Sequence, residues 1–505
     1  MRLSKEQLIQ KIKQTLKQVG TSQMSQSPYD LGWLLRLPNS KNPRKPRYPQ
    51  IISWLENLQH SDGSWGGQIP FAHDRAISTL SVIAGLSRWS LDEKWRGRIA
   101  KAAKAVEFYS KKLLQETEAT VAFELLFPKL LKDCEKAGVK IKIPIRVLNY
   151  YLKLKKEKLS KLPIEAATKQ PTTLLHALEV LDKNIDLRKF EKFQFSSGSF
   201  GSSPASTAYL FEKSVGFRKG KRYLDGFVNQ EIVSTMSPIG IFERAWCLLP
   251  VILLDEHKLF GGAVNNHLNY LKKSWTKKGV GPSREFLIPD LDDTAVVFYL
   301  FGKTGQARRP SVFENFETDD GFMCFPGERS GSASYYAHLY LALSTCPDSP
   351  QIIRMREKII SFISRTQNKL GFWVDKWHGS PWYVTSRAII ALSRNPEAKA
   401  IIKNSVRWIL STQKKNGLWG VQNGTAEETA YVLMALMIYG DIASIPKNII
   451  RRGIRSLAKR ADDYNYPELW IGKTMFAAKL ISQISILATL LFYEISKDSH
   501  SGRGN

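Results

Sequence analysis

The sequence predicts an all-α fold, on two observations. Apolar residues recur at three- and four-residue spacing, the period of a helix with one buried face, in the segments 77–86, 121–131, 295–301 and 475–495. The alternation of apolar and polar residues that indicates a half-buried strand is scarce. Since the chain has 505 residues, it is too long for one hydrophobic core, and we expect two or three domains.

A repeat of the form Gln-xxx-Gly-x-aromatic supports helical hairpins. Its four copies are Gln59 to Trp65, Gln194 to Phe200, Gln367 to Trp373 and Gln413 to Trp419. Most copies follow an apolar helical segment, so we expect the glycine to end that helix in a tight turn. The ring then packs back on a neighbouring helix, and the glutamine caps free backbone groups. Two copies in each half of the chain predict two α-barrels.

The composition is that of an ordinary globular protein, with 43% hydrophobic and 24% charged residues. The formal net charge of +28 is compatible with nucleic acid, anionic lipid or a phosphorylated substrate as partner. The lysines and arginines are scattered, however, and no nucleic-acid motif is present. A solvated basic surface is the simplest explanation, and we expect no nucleic-acid partner.

The cysteine pattern and the apolar runs favour the cytoplasm. The four cysteines are far apart and lack the CxxC spacing of a metal site, so the sequence predicts neither a disulfide framework nor zinc. The first residues lack the apolar stretch of a signal peptide. The longest apolar run that we identify, 245–254, is too short to span a membrane, and we expect no transmembrane segment.

Three carboxylates lie within four positions in Asp290-Leu291-Asp292-Asp293, at the start of a predicted helix. The simplest explanation is an N-cap followed by acids that the helix dipole favours. The next residues, 296–300, are apolar, so we expect the acids to face a buried cavity. Clustered carboxyls cannot all ionise at low dielectric, and one keeps its proton. Such a dry, strong acid is what the protonation of an alkene requires.

The run Asp-x-Asp-Asp-Thr-Ala at 290–295 resembles the signature of class II terpene cyclases. Further segments resemble the microbial branch of the class II diterpene cyclases: 27–33, 74–80, 123–128, 171–176, 203–208, 375–381, 427–431 and 470–473. The pair Leu31-Gly32 departs from that pattern, and class I ionisation motifs are absent. The resemblance implies two (α/α) barrels in a βγ arrangement. The β domain, residues 1–25 and 220–505, carries the acid, and residues 26–219 form the inserted γ domain.

The resemblance implies that Asp292 is the proton donor, with Asp290 and Asp293 beside it. His338 stands where related cyclases place a residue that hydrogen-bonds the catalytic aspartate. A lone histidine on an apolar helix can also be a core residue with its own partner, and that alternative stays open here.

His176 resembles the histidine that helps to hold a deprotonating water in plant copalyl diphosphate synthases. The asparagine partner of that histidine falls near Thr235 in this sequence, so the partner has changed. The resemblance therefore implies a catalytic role for both positions but leaves the last proton loss, and hence the product, open.

Lys473 and Lys158 resemble lysines that bind the substrate diphosphate. Lys158 lies in a basic run that can equally be a solvated helix face, and Lys473 is the preferred candidate. Glu116 and Glu118 lie near the acidic element of the γ domain in the family, where Mg²⁺ would bridge phosphate oxygens.

Carbocations require aromatic faces around them in a site that excludes water. The candidates for this role, each of which is also a plausible core residue, are Trp246, Tyr335, Trp377, Trp382 and Tyr383.

These features predict an enzyme, an intramolecular lyase or isomerase that cyclises geranylgeranyl diphosphate to a bicyclic labdane-type diphosphate. The diphosphate is retained, and a class I terpene synthase or a phosphatase could act downstream. Farnesyl diphosphate with a drimane-type product is an alternative. A non-catalytic α-barrel binding module or a prenyltransferase-like subunit is another, although Cys324 and Cys346 lack suitable neighbours for a zinc site. Product stereochemistry and oligomeric state stay open.

Overall fold

The computed structural model describes residues 3–161, 164–181, 185–286, 288–328, 330–440 and 442–501. Helices dominate these residues, as the sequence predicts. The α-helices in chain order are α1 (Lys5–Gln18), α2 (Pro28–Leu35), α3 (Gln50–Leu58), α4 (Ala72–Leu86), α5 (Glu93–Ser110), α6 (Phe123–Lys136), α7 (Ile145–Lys161), α8 (Ile164–Ala167), α9 (Pro204–Glu212), α10 (Phe217–Asn229), α11 (Gly240–Leu253), α12 (Gly262–Ser274), α13 (Leu291–Lys303), α14 (Ala333–Leu343), α15 (Pro350–Thr366), α16 (Pro381–Leu392), α17 (Lys399–Ser411), α18 (Ala426–Gly440), α19 (Lys447–Ala458) and α20 (Lys479–Ser501).

Short elements connect these helices. Four 3-10 helices span Thr173–Val180, Leu187–Phe193, His257–Phe260 and Pro310–Phe316 within the described ranges. Two antiparallel hairpins are present there too, β1 (Glu317–Thr318) with β2 (Gly321–Phe322) and β3 (Trp470–Ile471) with β4 (Met475–Phe476). Strands of two residues carry no alternation pattern, which is why the sequence does not predict them.

The chain divides into two compact units. Unit 1 comprises Met1–Ser22, Ile239–Tyr466 and Ala478–Asn505, and unit 2 comprises Gln23–Pro238 and Pro467–Ala477. The sequence-based bounds place 220–238 and 467–477 with the acid-bearing domain, whereas the structure groups both segments with unit 2. The assignment of the units as β and γ domains stays a prediction.

Unit 1 is an α/α barrel. Among the residues that the structure describes, α11, α13, α14, α16, α18 and α20 each contact the next helix, and α20 contacts α11, which closes an inner ring. Helices α12, α15, α17 and α19 pack outside that ring. The inner helices are buried almost along their whole length, as α13 and α16 show, whereas an outer helix such as α15 buries one stripe. This difference follows from inner helices having protein on both sides.

Unit 2 repeats this plan with different elements. Helices α2, α4, α6 and α9 and the 3-10 helix Thr173–Val180 form its inner ring, and α3, α5, α7 and α10 pack outside them. The β3–β4 hairpin joins unit 2 through backbone hydrogen bonds, among them Val121 N–H to the Gly472 carbonyl at 2.8 Å. A segment that is distant in sequence thus completes the unit.

The Gln-xxx-Gly-x-aromatic repeat has the predicted tight turn and ring packing, but the glycine does not end the preceding helix: α17 ends at Ser411, and Gly417 lies in the turn that follows. In the copy at 413–419, Gly417 has φ of +87°, and Gln413 Nε2 donates to the Gly417 carbonyl at 2.9 Å. Gln413 Nε2 also donates to the Ile449 carbonyl at the start of α19, at 3.1 Å. Trp419 Nε1 donates to the Ile409 carbonyl at 2.8 Å, so the ring packs back on α17, the helix that precedes its own turn.

One helix among the described residues, α20, is long and apolar enough over Lys479–Lys497 to cross a membrane by length and composition. The sequence predicts no such segment, because Ser482, Gln483 and Ser485 interrupt the apolar residues. Of its most apolar window, 67% is buried inside the protein. Since α20 is an inner helix of unit 1, its apolar character is explained by the barrel core.

Candidate active site

The acidic segment begins α13, and Asp290 is the N-cap. Its Oδ1 accepts a hydrogen bond from the Asp293 backbone N–H at 2.7 Å, so the capping explanation holds for this residue. Asp290 and Asp293 are buried, and the Asp292 side chain is 14% exposed. Only one of the three acids is thus used as a cap, and Asp292 is the one that keeps part of its side chain accessible.

Asp292 is paired with His338 of α14. The distance from Asp292 Oδ1 to His338 Nδ1 is 2.6 Å, and the imidazole is 2% exposed. His338 Nε2 is buried without a hydrogen-bond partner among the described residues. A proton on Nδ1 makes the ring a donor to Asp292, which favours the carboxylate that remains after proton transfer. The second carboxyl oxygen is then free to carry the proton that is donated.

Burial sets the charge of the two flanking acids. Burial raises the pKa of Asp290 to about 7, against hydrogen bonds from Asp293 that oppose the shift. Burial also raises the pKa of Asp293 well above its usual range, and the Asp290 carboxylate adds to the shift. Asp293 therefore keeps a proton at neutral pH and shares it with Asp290. The sequence predicts that one carboxyl stays protonated but not that burial selects Asp293.

A fourth carboxyl, Asp375, acts on the same cluster. The hydroxyls of Ser332 and Ser334 donate to its Oδ1, the latter at 2.9 Å, and its buried Oδ2 has no partner among the described residues. Burial raises the pKa of Asp375, and the nearby Asp292 carboxylate adds to the shift. Sequence reasoning assigns no role to Asp375, although it begins the segment 375–381, because nothing local indicates which face of the barrel it joins.

One of the five candidate aromatic residues, Trp246, lies beside His338, and a second, Tyr383, is hydrogen-bonded to Trp246. Trp246 of α11 meets the imidazole edge-on with ring centroids 5.6 Å apart, and its Nε1 donates to the Tyr383 hydroxyl at 3.1 Å. Tyr335 is buried and donates to the Phe322 carbonyl at 3.1 Å.

The remaining two candidates have other neighbours. Trp382 donates to Thr412 at 3.0 Å and packs against Trp408 of the outer helix α17, with ring centroids 5.3 Å apart. Trp377 lies 6.2 Å from Phe325. The structure therefore brings Trp246 and Tyr383 near the acid, whereas Trp382 contacts residues on the outer side of the barrel.

Lys473 lies in unit 2 in a buried polar cluster. It is fully buried, and its Nζ contacts Glu179 Oε1 at 2.6 Å and the Ser203 hydroxyl at 2.5 Å. Glu179 also accepts hydrogen bonds from the hydroxyls of Tyr29 at 2.8 Å and Ser206 at 2.5 Å. The ammonium group is thus engaged by unit 2 itself.

His176, on the 3-10 helix Thr173–Val180, lies within electrostatic range of Lys473 and Glu179. Its Nδ1 lies 2.8 Å from the Gly201 carbonyl, so Nδ1 carries the proton and donates. Burial lowers the pKa of His176 to about 4, and the Lys473 ammonium adds to the shift. The ring is therefore neutral at pH 7, with its Nε2 lone pair available as an acceptor. The Thr235 hydroxyl is buried without a hydrogen-bond partner among the described residues.

Lys158 of α7 has a half-exposed position in unit 2. Its Nζ lies 2.6 Å from Glu124 Oε1, and its side chain is 35% exposed. It keeps the access to solvent that a ligand would need, unlike Lys473.

Comparison with known proteins gives consistent matches. The family model of the squalene-hopene cyclase C-terminal domain matches residues 332–486. The (13E)-labda-7,13-dien-15-ol synthase of Selaginella moellendorffii is 31% identical over 377 residues, which cover 73% of this chain and 49% of that protein. Copalyl diphosphate synthase 2 of the same organism is 31% identical over 344 residues, 66% of this chain and 46% of that protein. The chain spans about half the length of these relatives.

A solved structure matches over nearly the whole chain. The ent-copalyl diphosphate synthase from Streptomyces platensis superposes with a TM-score of 0.75 at 25% identity, and the match covers 96% of this chain and 99% of that one. The abietadiene synthase from Abies grandis matches with a TM-score of 0.69 at 25% identity, over 98% of this chain and 59% of that one.

The chain belongs to the class II diterpene cyclase family. The predicted all-α architecture of two (α/α) barrels is confirmed for this cyclase.

The proposed magnesium ligands of the cyclase have other partners in the structure. Glu116 accepts hydrogen bonds from the backbone N–H groups of Ala72 at 2.5 Å and His73 at 3.2 Å, and its Oε2 lies 2.6 Å from His73 Nδ1. Glu118 is partly exposed two residues further on. No group of three or more His, Cys, Asp or Glu side chains in the described ranges has the arrangement of a metal site. These residues do not fit a magnesium ligand set here, and Mg²⁺ stays a prediction.

Proposed function

We propose that this cyclase protonates geranylgeranyl diphosphate and closes it to a bicyclic labdane-type diphosphate, with the diphosphate retained. The pairing of Asp292 with His338 inside the unit 1 barrel carries the proposal. The names of the similar proteins, which include copalyl diphosphate synthases, support this substrate class. We also propose the cytoplasm as its location.

The reaction begins with proton transfer from Asp292 to the terminal alkene. The π electrons of that alkene form the new C–H bond and leave a tertiary carbocation, which the neighbouring alkenes attack to close the rings. His338 donates to the Asp292 carboxylate that remains, and the protonated Asp293 lowers the negative charge around it. The ring of Trp246, whose centroid lies 5.6 Å from that of His338, can stabilise positive charge without reacting.

The cascade ends when a base removes a proton from the last carbocation. We extend the proposal to a water held by the neutral His176, which would accept the water O–H at Nε2 while Nδ1 stays bound to the Gly201 carbonyl. The buried hydroxyl of Thr235 would be its second contact. A threonine in place of the amide of related cyclases changes how that water is oriented and so bears on the product.

For the diphosphate we favour Lys158 over Lys473. Lys158 is partly exposed, whereas Lys473 is fully buried and held by Glu179 and Ser203. Each lysine has a buried carboxylate partner, Glu124 for Lys158 and Glu179 for Lys473, so the exposed surface of Lys158 decides between them.

The proposal is tested by incubating the full chain with geranylgeranyl diphosphate, farnesyl diphosphate and squalene, followed by dephosphorylation and mass spectrometry. We expect a bicyclic C20 alcohol from the first substrate. Asp292→Asn should lower the rate by about 10³-fold, because removal of a general acid costs about 10²- to 10⁴-fold, and the protonated Asp293 beside it is buried and hydrogen-bonded to Asp290.

The matched control is Asp255→Asn. Asp255 is an exposed aspartate of the same unit, paired with Lys303 at 2.9 Å, and its positive φ suits asparagine. This variant should keep wild-type activity. Full activity of Asp292→Asn would exclude it as the acid, and a product from farnesyl diphosphate alone would favour the drimane alternative. Binding without any cyclised product would favour the non-catalytic barrel.

A further inference from the structure

Arg387, on the inner helix α16 of unit 1, is a buried cation without a polar partner. It is 5% exposed, and it makes no hydrogen bond or ion pair with the residues that the structure describes. Its Nε is inaccessible and has no acceptor. It contacts two aromatic rings, since the guanidinium carbon lies 5.0 Å from the ring centroid of Tyr383 and 4.9 Å from that of Tyr431.

The other buried arginines in the described ranges are paired. Arg36 Nη1 lies 2.8 Å from the Asp133 carboxylate, and Arg75 Nη1 donates to the Ser64 hydroxyl at 2.6 Å. A guanidinium group keeps its charge in proteins and has five N–H donors, so leaving it unpaired in a protein interior is unfavourable. An unsatisfied buried group of this kind requires a functional or ligand-based explanation.

The nearby carboxylate of Glu427 does not neutralise the charge of Arg387 by an ion pair. Glu427 of α18 accepts a hydrogen bond from the Tyr431 hydroxyl at 3.0 Å, and its Oε1 lies 3.5 Å from His378 Nε2. No ion pair within 4 Å joins Glu427 to Arg387 among the described residues. The guanidinium charge therefore stays uncompensated at contact distance.

Arg387 shares the barrel interior with the acid. Tyr383 lies one helical turn before it, and the Tyr383 hydroxyl accepts the hydrogen bond of Trp246, whose ring meets His338 edge-on. Burial raises the pKa of Tyr383; the Arg387 guanidinium opposes the shift, and the Asp292 carboxylate adds to it. One tyrosine thus lies within electrostatic range of both the proton donor and the unpaired cation.

We propose that Arg387 determines product specificity, because its fixed positive charge keeps the carbocation from migrating toward this part of the barrel wall. The inference rests on the proposed function and adds to it a residue that selects where the cascade stops. Like charges repel most strongly in a site without water. The rings of Tyr383 and Tyr431 already face a cation, and Tyr383 also stacks on His378 with centroids 4.2 Å apart. These rings therefore have little attraction left for a second positive charge.

The test compares Arg387→Met, which removes the charge, with Arg387→Lys, which keeps it. After incubation with geranylgeranyl diphosphate, we expect Arg387→Met to raise the ratio of rearranged to unrearranged products by about tenfold, the size expected for two unit charges roughly 10 Å apart at an effective dielectric constant of about 20. Arg387→Lys should keep the wild-type ratio. If Arg387→Met does not fold, Arg387→Gln replaces it as the neutral variant.

A binding measurement isolates the charge from any structural effect of the variant. The probes are a geranylgeranyl diphosphate analogue with an ammonium nitrogen at the position of the bicyclic cation and its neutral carbon counterpart. Arg387→Met should increase the preference for the ammonium analogue by about tenfold, and Arg387→Lys should not change it.

The two measurements separate the inference from the proposed function. A wild-type protein that cyclises no prenyl diphosphate contradicts the proposed function, and the binding preference then decides on Arg387 by itself. An unchanged binding preference in the neutral variant overturns the inference, whatever the activity of the wild type.

Discussion

Lys473 is held in unit 2 by a carboxylate from a distant part of the chain. Its partner Glu179 is 294 residues away, and the pair has no exposed surface. Although burial opposes it, the Lys473 ammonium holds the pKa of Glu179 below its usual value. Both charges persist in the interior because the hydroxyls of Tyr29, Ser203 and Ser206 complete their hydrogen bonds.

Lys473→Met should destabilise the protein by about 3–5 kcal/mol, because it leaves the Glu179 charge buried without its cation. The double variant Lys473→Met/Glu179→Leu should recover most of that loss, since it removes both charges. Chemical denaturation of the full chain measures both effects, and Lys153→Met, at a lysine whose side chain is 77% exposed, is the control. Unchanged stability of Lys473→Met together with a raised KM would instead indicate a diphosphate ligand.

The function of a residue is most predictable from the sequence when the other residues of its site are its neighbours in the chain. Asp290, Asp292 and Asp293 are adjacent in sequence, so their proximity is certain before the fold is known. The buried state of Lys473 and the isolation of Arg387 are not predictable in this way. They depend on which distant groups pack around them, and one lysine or arginine in a mixed segment gives no sign of that.

The glycine of each aromatic repeat is a left-handed residue in the turn that follows a helix. At Gly417, where φ is +87°, a Cβ would lie 2.9 Å from the Arg452 Cγ and 2.8 Å from the Ser456 Oγ. Both the backbone conformation and the close approach of α19 therefore require glycine here.

We expect Gly417→Ala to lower the free energy of unfolding by about 1–3 kcal/mol, from backbone strain and the clash with α19. Gly97→Ala should have the opposite sign, with a gain of about 0.5–1 kcal/mol, since Gly97 is an exposed residue of α5 with nothing within 4 Å of an added Cβ. Equilibrium unfolding of the two variants beside the wild type measures both. A Gly417→Ala protein as stable as the wild type would contradict the role of this turn.

Elements with a repeated pattern are predictable from the sequence, and very short ones are not. The helices follow from apolar spacing, and the turns follow from Gln-xxx-Gly-x-aromatic. The hairpins β1–β2 and β3–β4 and the 3-10 helices have too few residues for any period to develop. A search for unbroken apolar runs also misses the apolar character of α20, because polar residues interrupt its sequence. The barrel core tolerates these polar residues.

The whole molecule contains several buried carboxyls that prefer to be neutral. Burial raises the pKa of Asp30, Asp290 and Glu428 to about 7 and that of Asp74 to about 6. Unfolded carboxyls titrate near pH 4, so between about pH 4 and pH 7 the folded protein binds more protons than the unfolded chain. The stability that these groups contribute is complete below the unfolded pKa and is lost as the pH rises through the folded values.

Thermal stability should therefore fall as the pH rises from about 5 to about 8. His176 and His267 act in the opposite direction, since burial lowers the pKa of both, that of His176 to about 4, but these two histidines oppose four carboxyls. Scanning calorimetry at several pH values, on the wild type, Glu428→Gln and Asp30→Asn, measures how the melting temperature depends on pH. The melting temperature should fall less steeply with rising pH in both variants than in the wild type. The exposed Asp255→Asn should leave it unchanged. A melting temperature that rises over this interval would contradict the prediction.

The last segment of unit 2, Pro467–Ala477, follows most of unit 1 in the sequence. This order affects how unit 2 folds during synthesis on the ribosome. Glu179 leaves the ribosome long before Lys473, and most of unit 1 is translated between them. During that interval the nascent unit 2 lacks both the β3–β4 hairpin and the cation that compensates its buried glutamate. Unit 2 therefore cannot mature as an independent first domain, and the last step of its assembly waits until the helices of the other barrel, except α20, have been made.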